Sequence, residues 1–193
     1  DFVLCQSLTF IASVNPVLYL GAIPVFIGSE KETWNLCPIA LEEAILNQLN
    51  KGIQPKAIVV VHLYGMPAKM NEIITISKKY NIPILEDAAE ALGSSYTNQP
   101  CGTFGDFGVF SFNGNKIITT SGGGALLCHS EAVKKKAVFL ATQAKEDAVY
   151  YEHTQVGYNY RMSNISASIG LGQLEVLSEH IQHRKQNHHF YKQ

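Results

Sequence analysis

The stretch KAIVVVHLYGMPAKMNEIITISKKYNIPILE (residues 56–86) carries the fold in outline. Residues 56–62 (KAIVVVH) are a continuous apolar, β-branched run, the pattern of a strand covered on both faces. From about 67 to 80 the period becomes helical, opening at Pro67 and placing Met70, Ile73, Ile74 and Ile76 on one side. Residues 82–86 (IPILE) then read as a second buried strand. A strand, a helix and a strand in direct succession mark a parallel βαβ unit.

The same alternation extends both ways. Upstream, 23–27 (IPVFI) read as a strand after a turn at Gly21. Residues 38–50 (PIALEEAILNQLN) read as a helix with Pro38 in its first turn and Gly52 just past its end. Downstream, 107–112 (FGVFSF) and 123–128 (GGALLC) read as strands, and about 130–143 and 163–183 as helices. The expected class is α/β, a mostly parallel sheet covered by helices on both faces. Ligands of such sheets bind beyond the carboxyl ends of the strands. That rule directs attention to His62-Leu63-Tyr64-Gly65, to Glu86-Asp87 and to Ser111.

The bulk properties narrow the field. A chain of 193 residues, 46% apolar, is long enough for one domain with a real core. A net charge of -1 and a pI near 6.7 provide no global field for phosphate backbones or acidic membranes, so neither nucleic acid nor membrane is an expected partner. Lys134, Lys135 and Lys136 read as the exposed side of a helix. The cysteines at 5, 37, 101 and 128 are scattered without metal-ligand spacing, which suits a reducing compartment. No apolar run reaches the roughly 18 residues of a membrane span, and the cytoplasm is the expected location. The start at Asp1-Phe2-Val3 and the end inside a helical pattern at Phe190–Gln193 suggest a piece of a longer protein.

Two places carry chemistry. Asp87 follows a buried strand and precedes Ala88 and Ala89, too small to cover it, so the carboxylate needs a cationic or hydrogen-bonding partner. It alternatively reads as a cap for the next turn. Ser111 and Lys116 flank a tight Asn-Gly turn, where a hydroxyl and an amine can face one small ligand. Lysine amines become nucleophilic when desolvation or nearby positive charge lowers their pKa, and they then form imines with aldehydes. Lys116 alternatively reads as a loop lysine beside the flexible Ser121–Gly124 connector. Neither a dinucleotide nor a P-loop glycine pattern is present. The histidines at 180, 183, 188 and 189 have no cysteine or carboxylate constellation, and read as a solvated helix face with no metal. A strand-end Asp, a strand-end Ser and a turn Lys, in that order, match the needs of pyridoxal 5'-phosphate. Its ring nitrogen requires a carboxylate, its phosphate hydroxyl donors and its aldehyde a lysine.

Longer motifs then add a resemblance. EDAAEALGSSY (86–96), GTFGDFGVFSFNGNKIITTSGGGALLC (102–128) and GYNYRMSNISASIGLGQLE (157–175) resemble the DegT/DnrJ/EryC1/StrS family of sugar aminotransferases. SLTFIASVNPVLYLGAIPVFI (7–27) and VVVHLYGMPAKMNEI (59–73) extend the likeness over nearly the whole chain. The resemblance implies a fold-type I PLP-dependent transferase large domain over 1–193. An N-terminal segment and a small C-terminal domain would lie outside it, with 163–193 leading toward the latter.

The resemblance also implies roles. Lys116 would hold the cofactor covalently and shuttle a proton, Asp87 would pair with the ring nitrogen, and Ser111 would bind the phosphate. Phe10 matches an aromatic that stacks on the ring, although it reads equally as a core Phe. Asn159 matches a residue that reaches the phosphate of the neighbouring subunit's cofactor, with Arg161 close by, which implies a homodimer. Glu90 stands where the family often has Gln or His, a second carboxylate near the ring, and Ser121-Gly122-Gly123 replaces a frequent Gly-Glu-Gly. The implied reaction moves an amino group, expected from L-glutamate, to a keto group of a nucleotide-linked deoxysugar in surface polysaccharide or glycan biosynthesis. Lys116 favours transamination over the dehydration of members that carry histidine there. The alternative is a PLP-binding regulator, or a catalytically inactive paralogue or fragment.

Overall fold

The computed structural model describes all 193 residues. Six strands form its central sheet: β1 (Phe2–Gln6), β2 (Ile23–Ile27), β3 (Ala57–Val61), β4 (Ile84–Asp87), β7 (Phe107–Ser111) and β8 (Gly124–Cys128). They lie in the order β2-β1-β3-β4-β7-β8. All neighbours pair in parallel except β7 and β8, which are antiparallel. A short hairpin of two-residue strands, β5 (Ser95–Tyr96) and β6 (Gln99–Pro100), stands apart from the sheet.

The helices are α1 (Asn15–Tyr19), α2 (Pro38–Leu49), α3 (Met70–Tyr80), α4 (Glu131–Ala141), α5 (Asn164–Glu175) and α6 (Leu177–Tyr191). Helix α2 begins with Pro38 in its first turn, where the missing N–H is no loss. Helix α3 ends on Asn81 in the left-handed conformation (φ 52°), a stop that asparagine tolerates.

Strand alternation sorts the side chains into two layers. Leu4, Ile58, Val60 and Ile84 face α2 and α3, where Leu41, Ile45, Met70, Ile73 and Ile76 close the larger core. Cys5 and Val59 face the other way and pack against Val14 and Val17 of the α1 region. Asp87 lies on this second face and Glu86 on the first. Adjacent residues of one strand thus send carboxylates to opposite sides of the sheet.

Two expectations need correction. The helix expected over 163–183 is two helices. At Val176 the backbone leaves helical geometry (φ −105°, ψ 8°), a position where β-branching already weakens a helix. The bend brings Ile181 over Gly93 and lets His180 Nδ1 donate to the Ile117 carbonyl at 3.1 Å. His180 is therefore not part of a solvated face. Strand β1, which has no counterpart among the expected strands, occupies the place between β2 and β3.

Candidate active site

Ser13, Asp87, Ser111 and Lys116 all follow or end strands on one edge of the sheet, the carboxyl edge of its parallel part. Chain order reverses around β1, which has β2 on one side and β3 on the other, and such a switch opens a crevice at that edge.

Asp87 is fixed through both oxygens. Oδ1 accepts the Ala89 amide at 3.1 Å, so the residue does cap the turn after it. Oδ2 accepts the Ser13 hydroxyl at 2.5 Å, and Ser13 in turn contacts Thr9 Oγ1 at 2.7 Å. Asp87 pairs with Val109 across β4 and β7. Ser111, two residues further on, shares its face and lies about 7 Å nearer the edge at roughly 3.3 Å per residue. Ser111 Oγ accepts the Asn113 amide at 3.3 Å.

The Lys116 amine is held by its loop. The turn closes with the Lys116 amide on the Asn113 carbonyl at 3.0 Å. Ile118 and Thr120 are buried on the protein side and anchor the chain beyond the turn. Helices α5 and α6 brace the same loop, because Gln173 Oε1 accepts the Thr119 amide at 3.4 Å and His180 holds the Ile117 carbonyl. The Lys116 side chain is 17% exposed, and its Nζ lies 3.5 Å from Glu90 Oε1. Glu90 Oε2 accepts the amide of Tyr64, which adopts a left-handed conformation (φ 53°). Glu90 therefore stands beside the amine.

Beneath this edge sits a group whose role spacing alone did not show. Glu86 and His62 are fully buried. Glu86 Oε1 accepts the amides of Phe104 and Gly105, each at 2.6 Å, and Oε2 accepts that of Gly102 at 2.7 Å. The Ala68 amide donates to His62 Nδ1 at 3.1 Å, so that nitrogen bears no proton and the ring is neutral. His62 Nε2–H therefore donates to Glu86 Oε2 at 2.9 Å. Burial pushes the Glu86 carboxyl up, but the hydrogen bonds from His62, Gly105 and Gly102 outweigh it and hold the group below the usual carboxylate range.

Gly108, opposite Glu86 in the β4–β7 register, makes this packing possible. A Cβ there would lie 1.9 Å from the Gly102 carbonyl. Gly108→Ala is expected to lower stability by about 1–3 kcal/mol. Gly28→Ala, whose Cβ meets nothing within 4 Å, should stay within about 0.5 kcal/mol in the same thermal melts.

Three other predicted residues lie on the surface. The Phe10 ring is 77% exposed, which rules out a core role. Asn159 and Arg161 are exposed on the strip after α4, tied there by the bridge between Thr142 and Asn159, and do not join Asp87 and Lys116 of their own chain. Burial raises the Cys5 thiol to about 11, and burial together with the Glu86 charge raises Cys101 to about 11. Neither thiol is a nucleophile at neutral pH.

The chain is similar to known proteins along its whole length. The chain is 55% identical over 185 residues to the putative pyridoxal phosphate-dependent aminotransferase EpsN of Bacillus subtilis, covering 96% of this chain and 48% of that protein. It is 41% identical to the GDP-perosamine synthase of Escherichia coli O157:H7, covering 100% of this chain and 51% of that one. The crystal structure of a DegT DnrJ EryC1 StrS aminotransferase from Brucella abortus superposes with a TM-score of 0.88 at 31% identity, over 93% of this chain and 48% of that one. The chain thus spans about half the length of the curated relatives it matches. The model of the DegT/DnrJ/EryC1/StrS aminotransferase family matches residues 1–193 without interruption. Fold, strand-end chemistry and likeness converge: the chain belongs to the DegT/DnrJ/EryC1/StrS aminotransferase family.

Proposed function

We propose that these residues form the cofactor-binding part of a PLP-dependent aminotransferase, which moves an amino group from L-glutamate to a keto group of a nucleotide-linked deoxysugar for polysaccharide biosynthesis. The single observation that carries the reading is the pairing of a doubly held strand-end carboxylate, Asp87, with a largely enclosed lysine amine, Lys116, on one sheet edge. The donor set fits pyridoxal 5'-phosphate in its chemistry. It provides a carboxylate for a protonated ring nitrogen, a primary amine for an aldehyde, a hydroxyl at Ser111 for a phosphate, and an exposed aromatic face at Phe10.

When bound, the cofactor supplies an electron sink that weakens a bond at the substrate's amino-bearing carbon. Lys116 Nζ would hold the cofactor at its aldehyde carbon and, when free, would take the proton from the substrate carbon as the general base of the site. Asp87 would hold a proton on the ring nitrogen, its own orientation set by Ser13 and the Ala89 amide. Glu90, 3.5 Å from Lys116 Nζ, offers a carboxylate that orients the amine toward the sheet edge. Ser111 and Phe10 orient the ring by its phosphate and its face. Asn159 and Arg161 act on the neighbouring subunit's site in a homodimer, which accords with their exposure and separation from their own chain's lysine. No helix is long and apolar enough to cross a membrane, and the cytoplasm is the proposed location.

The test is a half-reaction. Full-length protein loaded with pyridoxal phosphate should convert L-glutamate to 2-oxoglutarate in stoichiometric amount, and catalytically once a keto-sugar nucleotide is added from a panel. Cofactor uptake without any 2-oxoglutarate would reject the enzyme and leave a PLP-binding regulator.

A further inference from the structure

Ser13 is the one side chain that reaches Asp87 from outside its own turn, and no recognised motif predicts a role for it. We propose that Ser13 is a positioning residue. Its hydroxyl, itself held by Thr9, fixes the orientation of the Asp87 carboxylate and ties the Phe10 turn to the end of β4. The inference rests on the reading of Asp87 as the partner of the cofactor's ring nitrogen.

The direction of the hydrogen bonds is set by valence. An ionised carboxylate only accepts, so the single Ser13 proton goes to Asp87 Oδ2 at 2.5 Å. The 2.7 Å contact between Thr9 Oγ1 and Ser13 Oγ must then run from Thr9 to Ser13. The result is a one-way chain, Thr9 to Ser13 to Asp87, in which each bond polarises the next. Ser13 is only 9% exposed, so water does not substitute freely for it. No lysine or arginine reaches Asp87; its two oxygens take one neutral side-chain donor and one amide. The carboxylate is therefore held without being neutralised, the state needed to face a cationic ring nitrogen.

The same bond has a mechanical side. Residues Ile11–Ser13 form a single helical turn after β1, closed by the Ser13 amide on the Phe10 carbonyl at 3.1 Å. Val14 and Val17 seat this turn on the sheet against Cys5 and Val59, on the face that carries Asp87. Phe10 stands at the head of the turn with its ring free. Ser13 joins the turn to β4 across 74 positions of sequence. Losing the hydroxyl therefore loosens the ring-stacking residue and the ring-nitrogen partner together.

The test uses full-length protein with pyridoxal phosphate 15N-labelled at the ring, in Ser13→Ala, Ser13→Thr and Thr9→Val variants. Ser13→Ala is expected to weaken cofactor binding by roughly tenfold or more, as for loss of a hydrogen bond to a charged group. It should move the ring-nitrogen resonance toward the unprotonated position and lower kcat while KM for L-glutamate changes less than about twofold. Ser13→Thr keeps the hydroxyl and should restore both binding and resonance. Thr9→Val should shift both in the direction of Ser13→Ala, by less, and covers the case in which the alanine variant fails to fold. A lower melting temperature with cofactor affinity and resonance unmoved would mean a purely structural serine and overturn the proposal. If the unmodified protein takes up no pyridoxal phosphate, the functional reading falls and this one with it. If it loads normally and Ser13→Ala matches it, only the role of Ser13 falls.

Discussion

Lys116→Ala in the full-length protein should abolish the label that borohydride leaves on the peptide around residue 116 and lower transamination by on the order of 10³-fold or more. Two functions of one nitrogen are lost together. The Nζ atom is enclosed to 17% exposure and lies 3.5 Å from Glu90 Oε1. On the proposed function it is also the base that moves the substrate proton. Lys116→Arg separates these roles from simple charge pairing. Arginine keeps a cation beside Glu90, but its guanidinium stays protonated and does not condense with an aldehyde, so activity should remain as low as in the alanine variant. Added methylamine, a small primary amine, should recover part of the alanine variant's turnover and none of its label. Peptide mapping after reduction decides the matter: a label on any other lysine removes Lys116 from the chemistry.

Glu86→Ala should be the most destabilising single change at this edge of the sheet, by about 3–5 kcal/mol, as for removal of one partner from a buried polar pair. For a chain of this size that is a fall of roughly 10 °C in Tm. The reason is the number of donors left behind: His62 Nε2–H and the amides of Gly102, Phe104 and Gly105 all point at the removed oxygens, in a place without solvent. Glutamine should not rescue. Both carboxylate oxygens accept, and a carboxamide turns one of them into a donor that faces N–H groups on either orientation. His62 has no alternative tautomer to offer, because its other nitrogen is committed to the Ala68 amide. The pH dependence has a definite sign. The folded carboxyl titrates below its ordinary value, so its contribution is complete above about pH 4.3, where the unfolded group is ionised. It is lost as the pH falls from there through the lower folded value. Denaturation profiles between pH 3 and 7 should show this acid-side loss in the unmodified protein and a flatter curve in Glu86→Gln. A glutamine variant of full stability would refute the account.

Much of this architecture can be read in one dimension because its central strands are buried on both faces. Strands β3, β4, β7 and β8 and helices α2 and α3 announce themselves through apolar runs and capping residues such as Pro38. Strand β1 does not. FVLCQ ends in Gln6, whose polarity argues against a core position until its partners are known: its side chain accepts the Leu36 amide at 2.9 Å and donates to the Leu8 carbonyl at 2.8 Å. The hairpin at 95–100 is too short for periodicity to register. The site divides along the same line. Asp87 and Lys116 stand out because strand ends and tight turns are local features. Ser13 carries no local signal, since its meaning depends on a residue 74 positions away. The Glu86–His62 pair shows itself only as two polar residues at strand ends, and its four donors become visible only when loop 102–105 is laid over Gly108.

That same long reach between β1 and β4 has a kinetic corollary. Contacts between segments far apart in sequence form late, because the intervening chain must be closed first. Joining the serine after β1 to the aspartate closes a loop of 74 positions that contains β2 and β3. A half-built chain, still lacking that closure, has a lysine in its loop and nothing at the other end of the ring to steady what it catches. On the proposed roles of these residues, full affinity for the vitamin comes only with the docking of β4.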